Sequence, residues 1–218
     1  MKVFRSKNKS NKGLSIRLRQ GGQSFYEPLP NACDTQSVRV VVEGVDCVPY
    51  PRALTEELDL VSVAQSAGVC FDEHDRLVVA DEEGLVNYLL RVEADTITTL
   101  FEWADRTQTR LLFTTPLATS VRRAVVGGRR SKTLVLQFGT EEVYVAMATE
   151  HKLQFADVLP VANEEQLLQH FAQLNADFDL RKTDIFVSGV EGKAKTKLLG
   201  KYFRHCKWEQ EGSDVYIK

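Results

Sequence analysis

Cysteine chemistry has little support in this sequence. Its 218 residues include four cysteines, which are scattered along the chain and form no CxxC pair. A disulfide framework or a structural zinc site needs cysteines at close and regular spacing, so the pattern argues against both. We expect reduced, partly buried thiols in the cytosol. The four positions are Cys33, Cys47, Cys70 and Cys206.

Long apolar runs and an excess of one charge are also missing. The longest apolar stretches, such as 143–148, have the length of a strand, whereas a membrane span needs roughly 20 apolar residues. The N-terminus lacks the apolar run of about 7–15 residues that a signal peptide has. The 28 Lys and Arg residues nearly balance the 30 Asp and Glu residues, giving a net charge of −2 and no global attraction to nucleic acid. We expect a soluble cytoplasmic protein without membrane insertion.

The first twelve residues contain few apolar side chains that a core could bury. Five of them are basic, and the composition predicts a disordered basic tail over residues 1–12. The basic residues are Lys2, Arg5, Lys7, Lys9 and Lys12.

Residues 132–218 show the clearest fold pattern. Alternating apolar residues predict three strands on tight turns, beginning with Leu134, Leu136 and Phe138. Asn163 is placed to cap a helix near 163–176, and the apolar run that follows is typical of a central parallel strand. A second helix near 193–204 and an edge strand at 214–217 complete the order βββαβαβ. This order predicts a ribonuclease-H-like unit with one mixed five-stranded sheet flanked by helices.

A weaker version of the same pattern occupies residues 13–115. It predicts strands near 14–18, 24–29 and 38–42, the first two joined by a glycine turn. A connecting helix and a glycine- and arginine-rich hinge are then predicted over 116–131. The second ribonuclease-H-like half occupies 132–218. Two such halves in tandem make an α/β fold of the actin-like ATPase type.

Several segments resemble a bacterial family that has no assigned activity and is ascribed an actin-like ATPase fold. They are LSIRLRQGGQSFY, the Val48-Pro49 dipeptide, TTPL, and VYVAMATEHKLQFADVLP followed by a helix and IFVSG. More distantly, the chain is similar to the actin-like proteins of pilus assembly and cell division. The resemblance covers roughly residues 13–206 and implies two ribonuclease-H-like halves around a cleft. It implies no particular activity.

Actin-like ATPases hold Mg-nucleotide with an aspartate and glycines on the first hairpin of each half. The first hairpin here offers Ser15 and Arg17 but no acidic residue, and the second has Gln137 where an aspartate is needed. A neutral amide does not supply the charge that holds Mg²⁺ against its hydration shell. A ribonuclease-H nuclease is disfavoured for the same reason, and Asp157 is interpreted as a solvated edge residue. We therefore expect no catalytic residue and no metal site.

Two loops keep features of nucleotide-binding segments. Gly139 and Thr140 follow the first strand of the second half, and Ser188 and Gly189 form a strand-to-helix loop similar to the adenosine-side loop of actin-like proteins. Ordinary turn chemistry is the alternative interpretation of the second loop. The resemblance implies degenerate nucleotide-type loops at these four residues. We expect no cofactor, apart from a nucleotide that is held without turnover.

Two basic clusters point to a partner. Arg122, Arg123, Arg129 and Arg130 surround the predicted hinge and are interpreted as a binding surface for an acidic segment of a protein or for a phosphate-bearing ligand. Reversing the charge at 129 and 130 is expected to leave stability unchanged, because exposed charges contribute little. The second cluster lies around the last helix. It comprises Lys193, Lys195, Lys197, Lys201, Arg204 and Lys207.

These observations favour a non-catalytic, actin-like scaffold that binds a protein partner, in other words a pseudoenzyme. Two alternatives stay open. One is a nucleotide-binding ATPase or kinase-like protein that uses other acidic residues, such as Glu141 or Glu142. The other is a nucleic-acid-binding module that uses both basic clusters.

Overall fold

The computed structural model describes residues 3–5, 14–19, 29, 36–54, 56–80 and 86–210. The chain divides into two compact units, Met1–Thr115 and Pro116–Lys218. The division coincides with the predicted end of the first half. The predicted connecting helix belongs to the second unit.

The first unit contains a four-stranded sheet of order β1-β2-β3-β7. β1 is antiparallel to β2, whereas β2, β3 and β7 are parallel. The segment Val3–Arg5 is therefore a strand, although it lies in the predicted disordered tail. The predicted strand at 24–29 lies outside the described residues except for Leu29, which is not in a strand. The strands of this unit are β1 (Val3–Arg5), β2 (Leu14–Arg19), β3 (Ser37–Glu43), β4 (Cys47–Pro51), β5 (Asp75–Ala80), β6 (Val86–Glu93) and β7 (Arg110–Thr114).

A separate three-stranded antiparallel sheet of order β4-β6-β5 is inserted between β3 and β7. Helix α1 (Leu60–Ser66) packs on one face through Ala64, beside Tyr50 and Leu89. Helix α2 (Ala94–Thr107) follows β6 directly. In the described part of this unit, the strands thus form two small sheets instead of the single five-stranded sheet expected. The reason is local, because β4, β5 and β6 within residues 47–93 pair with one another as antiparallel neighbours before the chain returns to β7.

The second unit contains one mixed five-stranded sheet of order β10-β9-β8-β11-β12. β8, β9 and β10 are antiparallel neighbours, and β11 and β12 continue parallel to β8. The predicted sheet is confirmed, but its last strand is Cys206–Trp208, and the predicted strand at 214–217 lies outside the described residues. The strands are β8 (Lys132–Phe138), β9 (Glu142–Thr149), β10 (Lys152–Pro160), β11 (Asp184–Gly189) and β12 (Cys206–Trp208).

Helices cover both faces of this sheet. On one face, α3 (Pro116–Val126) packs against β8, β9 and β10. On the other, the apolar sides of α4 (Glu164–Phe178) and α5 (Gly192–Leu199) join alternate strand residues in a buried core. The Asn163 side chain accepts the N–H of Gln166 at 2.9 Å and caps α4 as predicted. None of the helices in the described ranges is both long and apolar enough to cross a membrane.

Two of the cysteines in the described residues lie in contrasting environments. Cys206 packs against the core of the second unit, and burial raises the pKa of its thiol to about 11. Cys70 is exposed. Since the thiolate is the reactive form, the two side chains should differ strongly in alkylation rate.

We expect iodoacetamide to alkylate Cys70 about 100-fold faster than Cys206 in the native protein near pH 8, because a thiol with a pKa of about 11 is only about 0.1% thiolate there. Peptide mass spectrometry of timed samples measures both rates. In guanidinium chloride the rates should converge, since unfolding removes the burial. Equal rates in the native protein would contradict the assigned environment of Cys206.

Candidate functional site

Parallel pairing of β8 and β11 brings the two predicted ligand-type loops together. Ser188 lies opposite Gln137, and Gly189 lies opposite Phe138. Gly139 and Thr140 follow β8 directly. All four predicted cofactor-binding residues therefore lie at one end of the sheet, which we call the carboxyl edge (residues 138–140 and 188–190).

Gly189 is required by the contact between the two strands. Its φ is +88°, and a Cβ at this position would lie 2.1 Å from the carbonyl oxygen of Phe138. That carbonyl also accepts the N–H of Val190 at 2.9 Å. Any side chain here would push β11 away from β8, so internal packing accounts for this glycine without a ligand.

Gly139 lies against a carboxylate of the protein itself. A Cβ on Gly139 would lie 2.1 Å from Oε1 of Glu142, a side chain whose residue is 5% exposed. Oε1 accepts the hydroxyl of Tyr144 at 3.0 Å, and Oε2 accepts the N–H of Glu141 at 3.1 Å. The β8–β9 turn thus holds an internal anion beside its glycine. The sequence analysis considered Glu142 only as an alternative catalytic acid and missed this role.

Gln137 lies on the face of the sheet that α3 covers. The Ser120 hydroxyl of α3 donates to Gln137 Oε1 at 3.4 Å, and Ser120 is 1% exposed. Gln137 is opposite Tyr144 in the β8–β9 pairing, so the two polar side chains share this face. The amide therefore belongs to a partly buried polar cluster with Ser120.

These residues do not fit the Mg-nucleotide that the fold family implies. The strand position that needs a carboxylate has an amide, Gly189 is explained by its contact with the Phe138 backbone, and one N–H of the turn is bound to Glu142, which lies against Gly139. Within the described ranges, no three His, Cys, Asp or Glu side chains are grouped so that they could hold a metal ion.

Trp208 is a further residue at the carboxyl edge that the sequence analysis missed. It ends β12 and lies opposite Val187 of β11. A Cβ on Gly192 would lie 3.2 Å from the Trp208 indole, so the ring covers the first turn of α5. The Lys193 ammonium lies 4.5 Å from the centre of the same ring. With three residues, β12 is too short to show a period-2 pattern, so the sequence did not predict this strand.

The predicted hinge at 127–131 lies inside the second unit, as the loop between α3 and β8. Asp184, which is 3% exposed, accepts the N–H groups of Arg129 and Arg130 at 2.7 and 2.9 Å. The Arg130 guanidinium lies 3.8 Å from the same carboxylate. The interpretation as a linker is therefore corrected. A glycine-rich run looked like a linker because its partner lies 55 residues further along the chain.

The four predicted partner-binding arginines have different environments. The Arg123 guanidinium donates to both carboxylate oxygens of Glu209, at 2.9 and 2.7 Å, and lies 3.7 Å from the centre of the Phe186 ring. Arg122, Arg129 and Arg130 are all exposed, and of these three Arg130 lies beside the Asp184 carboxylate. A cavity of about 310 Å³ opens beside this loop, lined by charges of both signs that include Glu150.

Asp157 lies on the edge strand β10, but it is not fully solvated. The residue is partly buried, and burial raises the pKa of its carboxyl group above the ordinary value. The N–H of Val158, which donates to the carboxylate at 2.8 Å, opposes that shift and only partly offsets it. The interpretation as a solvated residue is corrected, because the face that Asp157 shares with Phe155 and Leu159 packs towards the core.

Solved structures show what this arrangement is similar to. A crystal structure from Bacteroides thetaiotaomicron, of a protein with an actin-like ATPase fold and unknown function, is 12% identical with a TM-score of 0.65. The match covers 79% of this chain and 68% of that one. A structure of the PilM-PilN type IV pilus biogenesis complex is 14% identical with a TM-score of 0.50, covering 82% of this chain and 70% of that one.

No family model matches the chain, and no curated protein matches it either. Identities this low carry information on architecture and not on activity. The chain has the actin-like ATPase fold, and the predicted fold class is confirmed.

The loop geometry predicts that two adjacent arginines differ in their effect on stability. We expect Arg130→Glu to lower the free energy of unfolding by about 1–2 kcal/mol, because it places a second carboxylate beside the buried Asp184. Arg129→Glu should change it by less than about 0.5 kcal/mol, since the exposed Arg129 side chain makes no ion pair within the described residues. Urea unfolding measures both values. Asp184→Asn should restore part of the loss in the Arg130→Glu protein, and equal effects of the two arginine variants would contradict the assignment.

Proposed function

We propose that this protein is a non-catalytic actin-like scaffold of the cytoplasm that binds a protein partner and does not turn over nucleotide. The observation that carries the proposal is the Glu142 carboxylate, which lies beside Gly139 and binds an N–H of the β8–β9 turn. In actin-like ATPases such a turn holds phosphate through its backbone N–H groups.

Electrostatics argues against a phosphate in this turn. Two unit charges of the same sign 4 Å apart repel by about 1 kcal/mol in water and by several times more near a protein surface. Glu142 is 5% exposed, so solvent screens its charge only weakly. A nucleotide phosphate entering the turn would meet this repulsion and would also find the Glu141 N–H already bound.

Metal binding has little support on the same strand. Mg²⁺ is held by carboxylate oxygens, usually together with substrate phosphates. At the equivalent strand position Gln137 has an amide, whose oxygen accepts the Ser120 hydroxyl. Turnover of a nucleotide by this unit would therefore lack both the metal ligand and a phosphate cradle.

Two observations support a protein partner. The fold is similar to that of a protein solved as the PilM-PilN complex, which is an assembly of two proteins. The second unit also displays exposed cations, including Arg129 and Lys207, that suit an acidic segment. The scattered cysteines support the cytoplasmic location.

A nucleotide held without turnover is the second candidate. It is favoured by the adjacency of the loops at Gly139 and Gly189 and by the start of α5 immediately afterwards, since the first N–H groups of a helix suit an anion. On this alternative the phosphates would bind the Gly189 loop instead of the β8–β9 turn.

We expect the purified protein to release no phosphate from Mg-ATP or Mg-GTP above the buffer background. Phosphate release is compared for the wild type and for Glu142→Gln, which removes the charge but keeps the size of the side chain. Both proteins should be inactive. A magnesium-dependent turnover in the wild type that is lost in Glu142→Gln would show that Glu142 is a working acid and would overturn the proposal.

A second measurement tests the internal anion directly. We expect Glu142→Gln to bind pyrophosphate about tenfold more tightly than the wild type, a gain of about 1.4 kcal/mol, because the repulsion is removed. Glu141→Gln is the matched control, since its side chain is exposed and should change little. Calorimetry measures the three affinities. Equal affinity of the wild type and Glu142→Gln would mean that Glu142 does not repel anions from the turn.

A further inference from the structure

On the α3 side of the sheet, β11 and β12 are covered mainly by long cationic side chains and only to a small extent by a helix. Helix α3 packs chiefly on β8, β9 and β10. Beyond it, the Phe186 ring of β11 lies beneath the Arg123 guanidinium, 3.7 Å from the ring centre, and the Lys207 ammonium, 5.8 Å from it. Phe186 is 7% exposed. The two basic groups therefore shield an aromatic ring, and the exposed Lys207 keeps its charge at the surface.

The two basic clusters of the sequence meet on this face. Arg130, from the loop before β8, donates to the His205 ring nitrogen at 2.6 Å, and Lys207 follows two residues later. The nearby carboxylates are already bound: Asp184 accepts backbone N–H groups, and Glu209 pairs with Arg123 at 2.7 Å. Within the described residues, Lys207 makes no ion pair. The surface is thus left with a net positive charge.

Within the part of the chain that the structure describes, the backbone of β12 has an open outer edge. β12 is the last strand of its sheet, and its bonds to β11 include Ile185 N–H to the His205 carbonyl at 2.9 Å and Glu209 N–H to the Val187 carbonyl at 2.8 Å. Since backbone groups alternate along a strand, the N–H and C=O of Cys206 and Trp208 point away from β11. Nothing in the described ranges bonds to them.

We propose that an extended acidic segment of a protein partner pairs with the outer edge of β12. This rests on the proposed scaffold function and names the surface that it would use. Open edges readily accept another strand, whose main chain supplies affinity while alternate side chains supply specificity. Lys207 lies on the α3 side of the sheet beside Phe186, and Trp208 lies on the other side against Gly192.

The two sides set the chemistry of the partner. Side chains of an added strand alternate between the faces, so carboxylates on one face meet Lys207 and apolar groups on the other pack on Trp208, which is 40% exposed. The preferred segment alternates acidic and apolar residues.

A peptide satisfies this edge better than a nucleic acid does. Trp208 and Cys206 present both N–H donors and carbonyl acceptors, and a strand backbone matches them with groups of both kinds. A phosphate backbone offers acceptors only, so it would leave the two carbonyl oxygens without partners.

The test uses a fluorescein-labelled peptide in which Glu and Val alternate, with binding to the full-length protein followed by fluorescence anisotropy. We expect saturable binding that weakens with added salt. A peptide with the same residues in two blocks should bind at least about tenfold more weakly, because it loses the alternation between faces. A Lys and Val peptide should not bind. Equal binding of the alternating and block peptides would overturn strand addition.

Matched variants locate the site. Lys207→Glu should weaken binding of the alternating peptide by about tenfold. Lys152→Glu, an exposed charge reversal on the opposite edge strand β10, should leave it unchanged. Trp208→Ala removes the indole, and Trp208→Pro removes the outward N–H as well, so the proline variant should bind more weakly than the alanine variant. The melting temperature of each variant confirms folding. Equal losses in the two lysine variants, or in the two tryptophan variants, would overturn the assignment.

Two further results separate the possible failures. If single-stranded DNA displaces the peptide and binds more tightly, the surface is a nucleic-acid site and this inference is wrong. If the peptide fails to bind while no nucleotide is turned over, the β12 surface is wrong and the scaffold function stands. Nucleotide turnover would overturn the scaffold function itself.

Discussion

The parallel pairing of β8 with β11 is the interaction on which the rest of the second unit depends. It places Phe138 opposite Gly189, and the Phe138 carbonyl comes so close that only glycine fits there. The same pairing brings both nucleotide-type loops to one edge and adds β12 beyond β11. Gly189, which belongs to one of these loops, is thus also a condition for assembling the sheet, and its presence alone says little about binding.

Buried carboxylates in this unit are satisfied by backbone N–H groups of its own loops. Asp184 binds the N–H groups of Arg129 and Arg130, and Glu142 binds that of Glu141. These donors are of the kind that a phosphate or another anionic ligand would need. Because an unpaired buried carboxylate is costly, each interaction fixes its loop, and Glu142 at the same time occupies the turn. Internal carboxylates therefore fix two loops of this unit, the 127–131 loop and the β8–β9 turn.

The sequence predicts what depends on periodicity and misses what depends on distant contacts. Alternating apolar residues located β8, and the Asn163 cap located α4 to within two residues at either end. The bond from Asp184 to the 127–131 loop spans more than fifty residues, and no local pattern contains it. The sequence analysis considered Glu142 only as an alternative catalytic acid, because its burial depends on contacts with Tyr144 and Gly139 that appear only in the folded turn.

The first unit shows a different limit of pattern reasoning. Its inserted strands have the same period-2 signal as the sheet strands around them, so local alternation cannot tell which sheet each strand joins. Pro49 and Pro51 carry the missing information, because residues without an N–H are tolerated at a sheet edge. They mark β4 as an edge strand, so the sequence excludes a position for β4 between two other strands.

Two other edge strands of the described sheets, β4 and β10, have protection that β12 lacks. β4 has two prolines, and β10 has a register shift between Leu153 and Phe155 and ends at Pro160. Prolines and irregularities of this kind discourage pairing with another chain. β12 has neither of them, and its protection consists of its short length and the charge of Lys207. A lysine repels basic and apolar strands but attracts an acidic one, so the same side chain that guards this edge also selects what can pair with it.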